Sequence, residues 1–276
     1  MNKRLKLLLI CMGALAAAGL MVFNAVTVIN SINSARLCAA LEEGDLFTAE
    51  AIAREHPHCL NTKAAYGDGI IRHISPENGD TPVCLACRKG YYDIARLFVE
   101  LGADPNKGWQ WSALGETVKS KRQGCYDMVV WLCENGEDPA KTNNYDASFS
   151  ALWALAFTPN TEECPEEETA RIFEYLYDRM GDTVESWPDI LCKCARNGHY
   201  DLVSIILDKG LCGIDDRGDN YGKTALICAV GSGDLEMVKL LLDRGADRSV
   251  KDNDGKTAGE YAIGNIEMLL LFGDRD

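Results

Sequence analysis

Four stretches of this chain close an apolar run on a glycine, and their recurrence constrains the fold more than any other feature. They are Leu97 to Asp104 (LFVELGAD), Trp131 to Asp138 (WLCENGED), Ile205 to Gly210 (IILDKG) and Leu240 to Asp247 (LLLDRGAD). Gly102 and Gly136 stand about 34 residues apart, and Gly210 and Gly245 about 35, a period in the range of stacked-repeat architectures. Upstream of two of these tails lie Thr81-Pro82-Val83-Cys84-Leu85-Ala86 and Thr224-Ala225-Leu226-Ile227-Cys228-Ala229. Between opening and tail come Gly90-Tyr91-Tyr92-Asp93, Gly124-Cys125-Tyr126-Asp127, Gly198-His199-Tyr200-Asp201 and Gly233-Asp234-Leu235-Glu236, the turns of paired helices. No such pair can bury its apolar face alone, so the units must stack into one continuous core.

Each part has a physical reason. A threonine at the start of the first helix can cap free amides, and Pro82 suits the first helical position. Small Ala and Cys on the first helix let the second approach closely. Leu and Val at i, i+3 and i+4 on the second helix form a stripe facing the neighbouring unit. The tail glycines fall where that helix ends, a position that favours left-handed backbone. The Asp-x-Asn or Asp-x-Ser that follows predicts a projecting turn.

The openings resemble the T-P-L-H-x-A of the ankyrin-repeat family, whose period is about 33 residues. The resemblance spans residues 34 to 273 and is most specific over 78–107 and 220–250. It implies an all-α ankyrin-repeat solenoid of about six to seven helix-turn-helix units with projecting turns, behind an N-terminal apolar helix. A first unit from Ala35 to Asn61 and a shortened last one from Gly255 to Phe272 read as end caps.

The domain organisation expected is therefore a segment 1–32, followed by the repeat domain 33–276. Lys3, Arg4 and Lys6 precede an apolar run from Leu7 to Ile29, broken only by Asn24 and Thr27. A basic start, an apolar stretch and Ala16-Ala17-Ala18 fit a cleaved secretory signal. The run of about 23 residues also suffices for a transmembrane anchor, which needs roughly 20. Both readings leave the basic end in the cytoplasm and put the repeats outside. The expected location is the bacterial inner membrane facing the periplasm, or the periplasm after cleavage, with contact to the membrane only through this segment.

Charge narrows the partner. The formal net charge is -14, with 28 basic against 42 acidic residues, and no basic stripe interrupts the acid. Such a surface repels phosphate backbones and excludes nucleic acid. It favours another protein carrying a basic patch.

The departures from the repeat supply the candidate partner-binding residues, because insertions in a solenoid map to loops on one face. One lies around Trp109 and Trp111, which serve either as anchors for a partner or as compensating packing. Another covers 142–182, with Tyr145, Phe149, Trp153 and Phe157 followed by the acidic Glu162, Glu163, Glu166, Glu167 and Glu168. Tyr145, Phe149 and Trp153, spaced i, i+4, i+8, equally make a helix stripe turned to the core. Tyr221, in the projecting turn before Thr224, completes the set.

No Gly-x-Ser-x-Gly, Walker loop or His-Glu-x-x-His occurs, and no catalytic residue, metal ligand or cofactor is assigned. His56-Pro57-His58-Cys59 looks like a small metal cluster but lacks a second ligand pair and reads as a loop. Asp252-Asn253-Asp254-Gly255 resembles part of a calcium loop, yet Tyr261 stands where the closing glutamate is needed. Cys84-x-x-Cys87 and Cys192-x-Cys194 fall where small packing residues belong. Twelve cysteines are many for an exported chain, and sequence leaves their pairing open. The chain is thus expected to bind protein rather than to catalyse. Exported bacterial ankyrin proteins resemble, as a class, immunity proteins that neutralise toxic effectors, phospholipases among them. An envelope assembly or scaffold protein, or a host-directed ankyrin effector, would present the same features.

Overall fold

The computed structural model describes residues 26–62, 81–108, 110–142, 150–180, 186–218 and 221–273. Within these the chain is helical, with isolated antiparallel bridges (Gly218 with Lys223, Lys251 with Thr257) and no named strand. Fourteen α-helices form seven consecutive pairs among the described residues. The chain divides into two compact units, Met1–Ala86 with Tyr91–Gln110, and Cys87–Gly90 with Trp111–Asp276.

In the first unit, helix α1 runs over 26–43 without a break at the 32/33 boundary expected from sequence. Most of the apolar segment, residues 1–25, lies outside the described residues. Among the described residues no helix is long and apolar enough to cross a membrane. Helix α2, Leu46–Glu55, begins where the Asp45 carboxylate accepts from the Thr48 amide at 3.0 Å. His56-Pro57-His58-Cys59 enters a short 3-10 helix, Pro57–Asn61, with Cys59 buried. Helix α3, Pro82–Lys89, of which residues 82–86 fall in this unit, and helix α4, Tyr92–Glu100, make the next pair. Ahead of α3, Thr81 donates its hydroxyl to the Lys107 carbonyl at 2.7 Å, tying the opening to its own repeat's projecting turn. Asn61 reaches the same repeat, donating to the Gly102 carbonyl and accepting from the Asp104 amide, both at 2.7 Å.

The second unit stacks five pairs. They are α5 (Ala113–Ser120) with α6 (Cys125–Glu134), α7 (Ala151–Phe157) with α8 (Glu166–Met180), α9 (Trp187–Arg196) with α10 (Tyr200–Asp208), α11 (Ala225–Ser232) with α12 (Leu235–Asp243), and α13 (Ala258–Tyr261) with α14 (Ile266–Gly273). The first helices pack in succession, α5 on α7, α7 on α9, α9 on α11 and α11 on α13; α8 touches both α6 and α10. A first helix is enclosed by two neighbours and its own partner, so it must be apolar nearly all round. Ala225 through Val230 of α11 are accordingly all buried. Cys192 and Cys194 are buried on α9, and Cys84 and Cys87 on α3, as small packing residues should be. The Thr224 hydroxyl caps α11 by accepting from the Ile227 amide at 3.3 Å. At the tails, Gly102 and Gly245 have φ of 101° and 91°, a conformation that any side chain would strain.

The last pair is shortened, as expected, with α13 only four residues long. Thr257 and Glu260 form a capping box at α13, but Ile263, Ile266 and Leu270 are 75%, 76% and 60% exposed. On the first pair, Phe47 of α2 is 84% exposed.

Candidate functional site

The projecting turns after the glycine-ended tails share a local bond in most repeats. Three of them open on an aspartate whose carboxylate accepts from the amide two residues on: Asp104 from Asn106 at 3.1 Å, Asp138 from Ala140 at 3.0 Å, Asp247 from Ser249 at 2.8 Å. This local bond fixes the turn without help from neighbours. Consecutive turns in the second unit are then tied together. Asp215 accepts from the Asp247 amide at 2.8 Å, the Tyr221 carbonyl accepts from the Asn253 amide at 2.9 Å, and Arg217 donates to the Lys251 carbonyl. Asp252, which looked like part of a calcium loop, instead accepts from the Asp254 and Lys256 amides and from the Tyr261 hydroxyl. On this braced frame Tyr221 stands 66% exposed, with the Lys223 ammonium 5.6 Å from its ring centre. A rigid, exposed aromatic next to a cation can anchor a partner at low entropic cost.

The acidic segment before and within α8 divides into two sets. Glu163 pairs with Arg122 at 3.1 Å and accepts from the Gln123 amide. Glu168 accepts from the Tyr126 amide at 3.2 Å, at the start of α6. Glu166 accepts from the Asp201 amide at 2.6 Å, at the start of α10. These carboxylates sit at the N-termini of the two helices that flank α8, where free amides and the helix dipole favour negative charge. Glu166 titrates above the ordinary carboxylate range because burial outweighs that hydrogen bond. Glu162 and Glu167 make the other set: both are exposed. Three of the five acidic candidates are thus joined to neighbouring repeats, Glu163 while itself exposed, and Glu162 and Glu167 are presented to solvent.

Trp111 takes the packing role. It is 4% exposed, stacks with Trp153 at 6.4 Å, and has the Lys119 ammonium 4.7 Å from its ring centre. Trp153 also stacks with Phe157 at 4.8 Å and donates its indole N–H to Asp189 at 2.9 Å, joining α7 to α9. Trp109, Tyr145 and Phe149 lie outside the described residues.

A buried polar cluster was not legible in the repeat pattern. Lys121, between α5 and α6, has φ of 46° and is fully buried. Its ammonium donates to the Thr158 carbonyl at 2.6 Å and to Asn160 at 3.3 Å. The same carbonyl lies 2.8 Å from His199 Nε2, so that nitrogen carries the proton and donates. His199 Nδ1 is left buried without a hydrogen-bond partner. Burial holds Lys121 down at about 8, and burial together with the nearby ammonium pushes His199 down to about 3. Two donors thus converge on one oxygen, holding the connection after α7 in place.

Against this cluster lie Cys125, the first residue of α6, and Cys164, just ahead of α8, their sulfurs 3.1 Å apart. With Glu168 they make the one His, Cys, Asp or Glu trio among the described residues whose ligand atoms fall within 4.8 Å of one another. Two thiolates on a tetrahedral zinc, with bonds of ~2.3 Å, would stand about 3.8 Å apart. The observed spacing suits a thiol pair better than a zinc site. His56, His58 and Cys59 are not in any such group.

The family model described as Ankyrin repeats (3 copies) matches residues 37–143, 169–252 and 191–274. The chain belongs to the ankyrin-repeat family. The stretch 144–168 that no match covers is where the aromatic and acidic departures occur. Among curated relatives, the ankyrin repeat and KH domain-containing protein mask-1 of Caenorhabditis elegans is 26% identical over 71% of this chain. Protein phosphatase 1 regulatory subunit 27 of Mus musculus is 42% identical over 20% of it. The chain spans only 7% and 34% of the lengths of those relatives. Among solved structures, the human ASB11 ankyrin repeat domain aligns with a TM-score of 0.61 at 20% identity, over 87% of this chain and 98% of that one, a likeness of fold. Ankyrin repeats are protein-interaction modules, and nothing in these relatives' names makes this chain an enzyme.

Proposed function

We propose that this ankyrin-repeat chain recognises a protein with a basic patch, and that it acts in the bacterial envelope as an immunity protein neutralising a toxic secreted effector such as a phospholipase. The observation that carries the reading is the presentation of Glu162, Glu167 and Tyr221 to solvent in the second unit, on a chain of net charge -14. An acidic surface with a fixed aromatic anchor suits a basic partner, because complementary fields speed encounter and reject wrong partners. The regulatory-subunit name of one relative is in keeping with a role carried out on another protein. The basic start and apolar run of residues 3–29 support export.

The test is co-expression of the full chain with a secreted phospholipase encoded beside it, scoring growth, together with the Kd of the purified pair at low and high salt. Rescue of growth and an affinity that weakens with salt support the reading. Absence of binding at both salt concentrations would reject the effector, and binding indifferent to salt would reject the charge argument.

A further inference from the structure

We infer that Cys125 and Cys164 are a disulfide-forming pair, oxidised within the fold to pin the divergent connection 158–165 to the start of α6. The inference is independent of the partner proposed above. Both thiols are buried, and closing a bond of about 2.0 Å from the present 3.1 Å separation takes roughly 1 Å of motion. The fold has already done the work of bringing them together. Thr161 accepts from the Cys164 amide at 3.0 Å and donates to the Lys121 carbonyl at 2.7 Å. Cys125 is held by its place in the first turn of α6.

The surroundings also assign the two sulfurs different tasks. Cys164 accepts a hydrogen bond from Cys125, lies 3.6 Å from the Thr169 hydroxyl and feels the Lys121 ammonium. The Cys125 bond, first among these, favours the Cys164 thiolate over the opposing effects of burial and Glu168. Its chain neighbours Glu163 and Pro165 are exposed, so a small opening of the connection presents it to a reagent. Cys125 instead has the Glu168 carboxylate 3.5 Å from its sulfur.

The oxidant belongs to the class of disulfides, whether a small molecule or an oxidoreductase. Cys164 releases its proton to solvent, and its thiolate attacks one sulfur of the oxidant, RSSR, to form a mixed disulfide and expel RS⁻. Cys125 then passes its proton, by way of the adjacent Glu168 carboxylate, to the first RS⁻, and its thiolate attacks the Cys164 sulfur and expels the second RS⁻, which takes up the proton that Cys164 released. Two thiols are oxidised and one RSSR is reduced to two RSH, the released protons balancing the two thiolates. The bond closes a loop with a sequence separation of 39, long enough for a sizeable restriction of the unfolded chain.

The experiment equilibrates the purified full chain with oxidised glutathione while it remains folded by circular dichroism, then maps its peptides without reduction. The expected result is a peptide linking Cys125 to Cys164 and a melting temperature higher than that of the reduced protein by on the order of 5–10 °C. Cys164→Ser, close in size, is expected to melt near the reduced wild type and to lose the oxidative rise. A folded protein whose two thiols remain alkylatable overturns the inference. So does a link joining other cysteines only, an undiminished rise in Cys164→Ser, or a stoichiometric zinc ion shielding both thiols. Mapping of the wild type decides the matter even if the variant fails to fold.

Discussion

The Lys121 ammonium and the Thr158 carbonyl oxygen meet at 2.6 Å inside the second unit, joining the end of one first helix to the end of the next. A fully buried cation is costly unless paired, and here its partners are a carbonyl and an amide oxygen rather than a carboxylate. The arrangement makes the connection after α7 sensitive to protonation.

Folding lowers the pKa of Lys121 from its ordinary 10.5 to about 8, so the folded state holds the proton less tightly than the unfolded chain. Below pH 8 both states carry it and the full cost of burying the charge opposes folding. Between about 8 and 10.5 the unfolded chain alone is protonated, so stability from this group rises with pH, by on the order of 3 kcal/mol. Subtracting the urea stability curve of Lys121→Met from that of the wild type at each pH isolates the rise. A flat difference across that window would mean that the ammonium is solvated.

His199 follows the same sign at lower pH, its cation disfavoured down to about 3. Stability from this group is lost as pH falls from 6.5 toward 3, because only the unfolded chain takes up the proton. Lys121→Met removes the neighbouring ammonium, so the His199 titration measured by NMR is expected to move upward. A titration left in place would assign the shift to burial alone.

The carboxylates before and within α8 separate stability from recognition. Glu168→Ala is expected to cost about 1 kcal/mol by freeing the Tyr126 amide at the start of α6. Charge reversal at the exposed Glu162 and Glu167 is expected to leave stability within about 0.5 kcal/mol. With a basic partner in hand, the same reversal is expected to weaken binding by roughly tenfold, chiefly through association rate. Chemical denaturation paired with stopped-flow binding distinguishes the two sets.

Trp153 donates to Asp189 at 2.9 Å while stacking against Trp111 and Phe157. Trp153→Phe keeps most of the ring area but leaves the carboxylate one donor short, an expected loss of about 1–2 kcal/mol. Trp111→Ala removes a buried indole and is expected to cost about 3–5 kcal/mol. Denaturant midpoints of the two variants check the order; equal losses would deny Trp111 its place in the core.

Gly218 approaches α9 so closely that a methyl group would overlap the Pro188 carbonyl and meet Cys192 Sγ at 2.8 Å. Gly218→Ala is therefore expected to destabilise by about 1–3 kcal/mol and to displace the bridge to Lys223. Hydrogen exchange at the Gly218 amide, which donates to the Lys223 carbonyl at 2.9 Å, should quicken.

Repetition made the scaffold legible. Glycine-ended tails, small residues on first helices and leucine stripes on second helices recur at fixed offsets, because every unit solves the same local packing problem. Sequence therefore placed the helix pairs, the Asp-led turns and the burial of Cys84, Cys87, Cys192 and Cys194. It also marked 142–182 as divergent. It could not distribute the roles within that divergence. Whether Glu166 and Glu168 face solvent or a neighbour's helix terminus depends on the register of α8 against α6 and α10, and no offset along the chain encodes that register. The same holds for Trp111 stacking with Trp153, Lys121 turning inward to Thr158, and Cys125 meeting Cys164 across a separation of 39. Local pattern determined what each repeat is; the tertiary structure decided which side chains the irregular repeat spends on its neighbours and which it leaves for a partner, because those contacts exist only once the units are stacked.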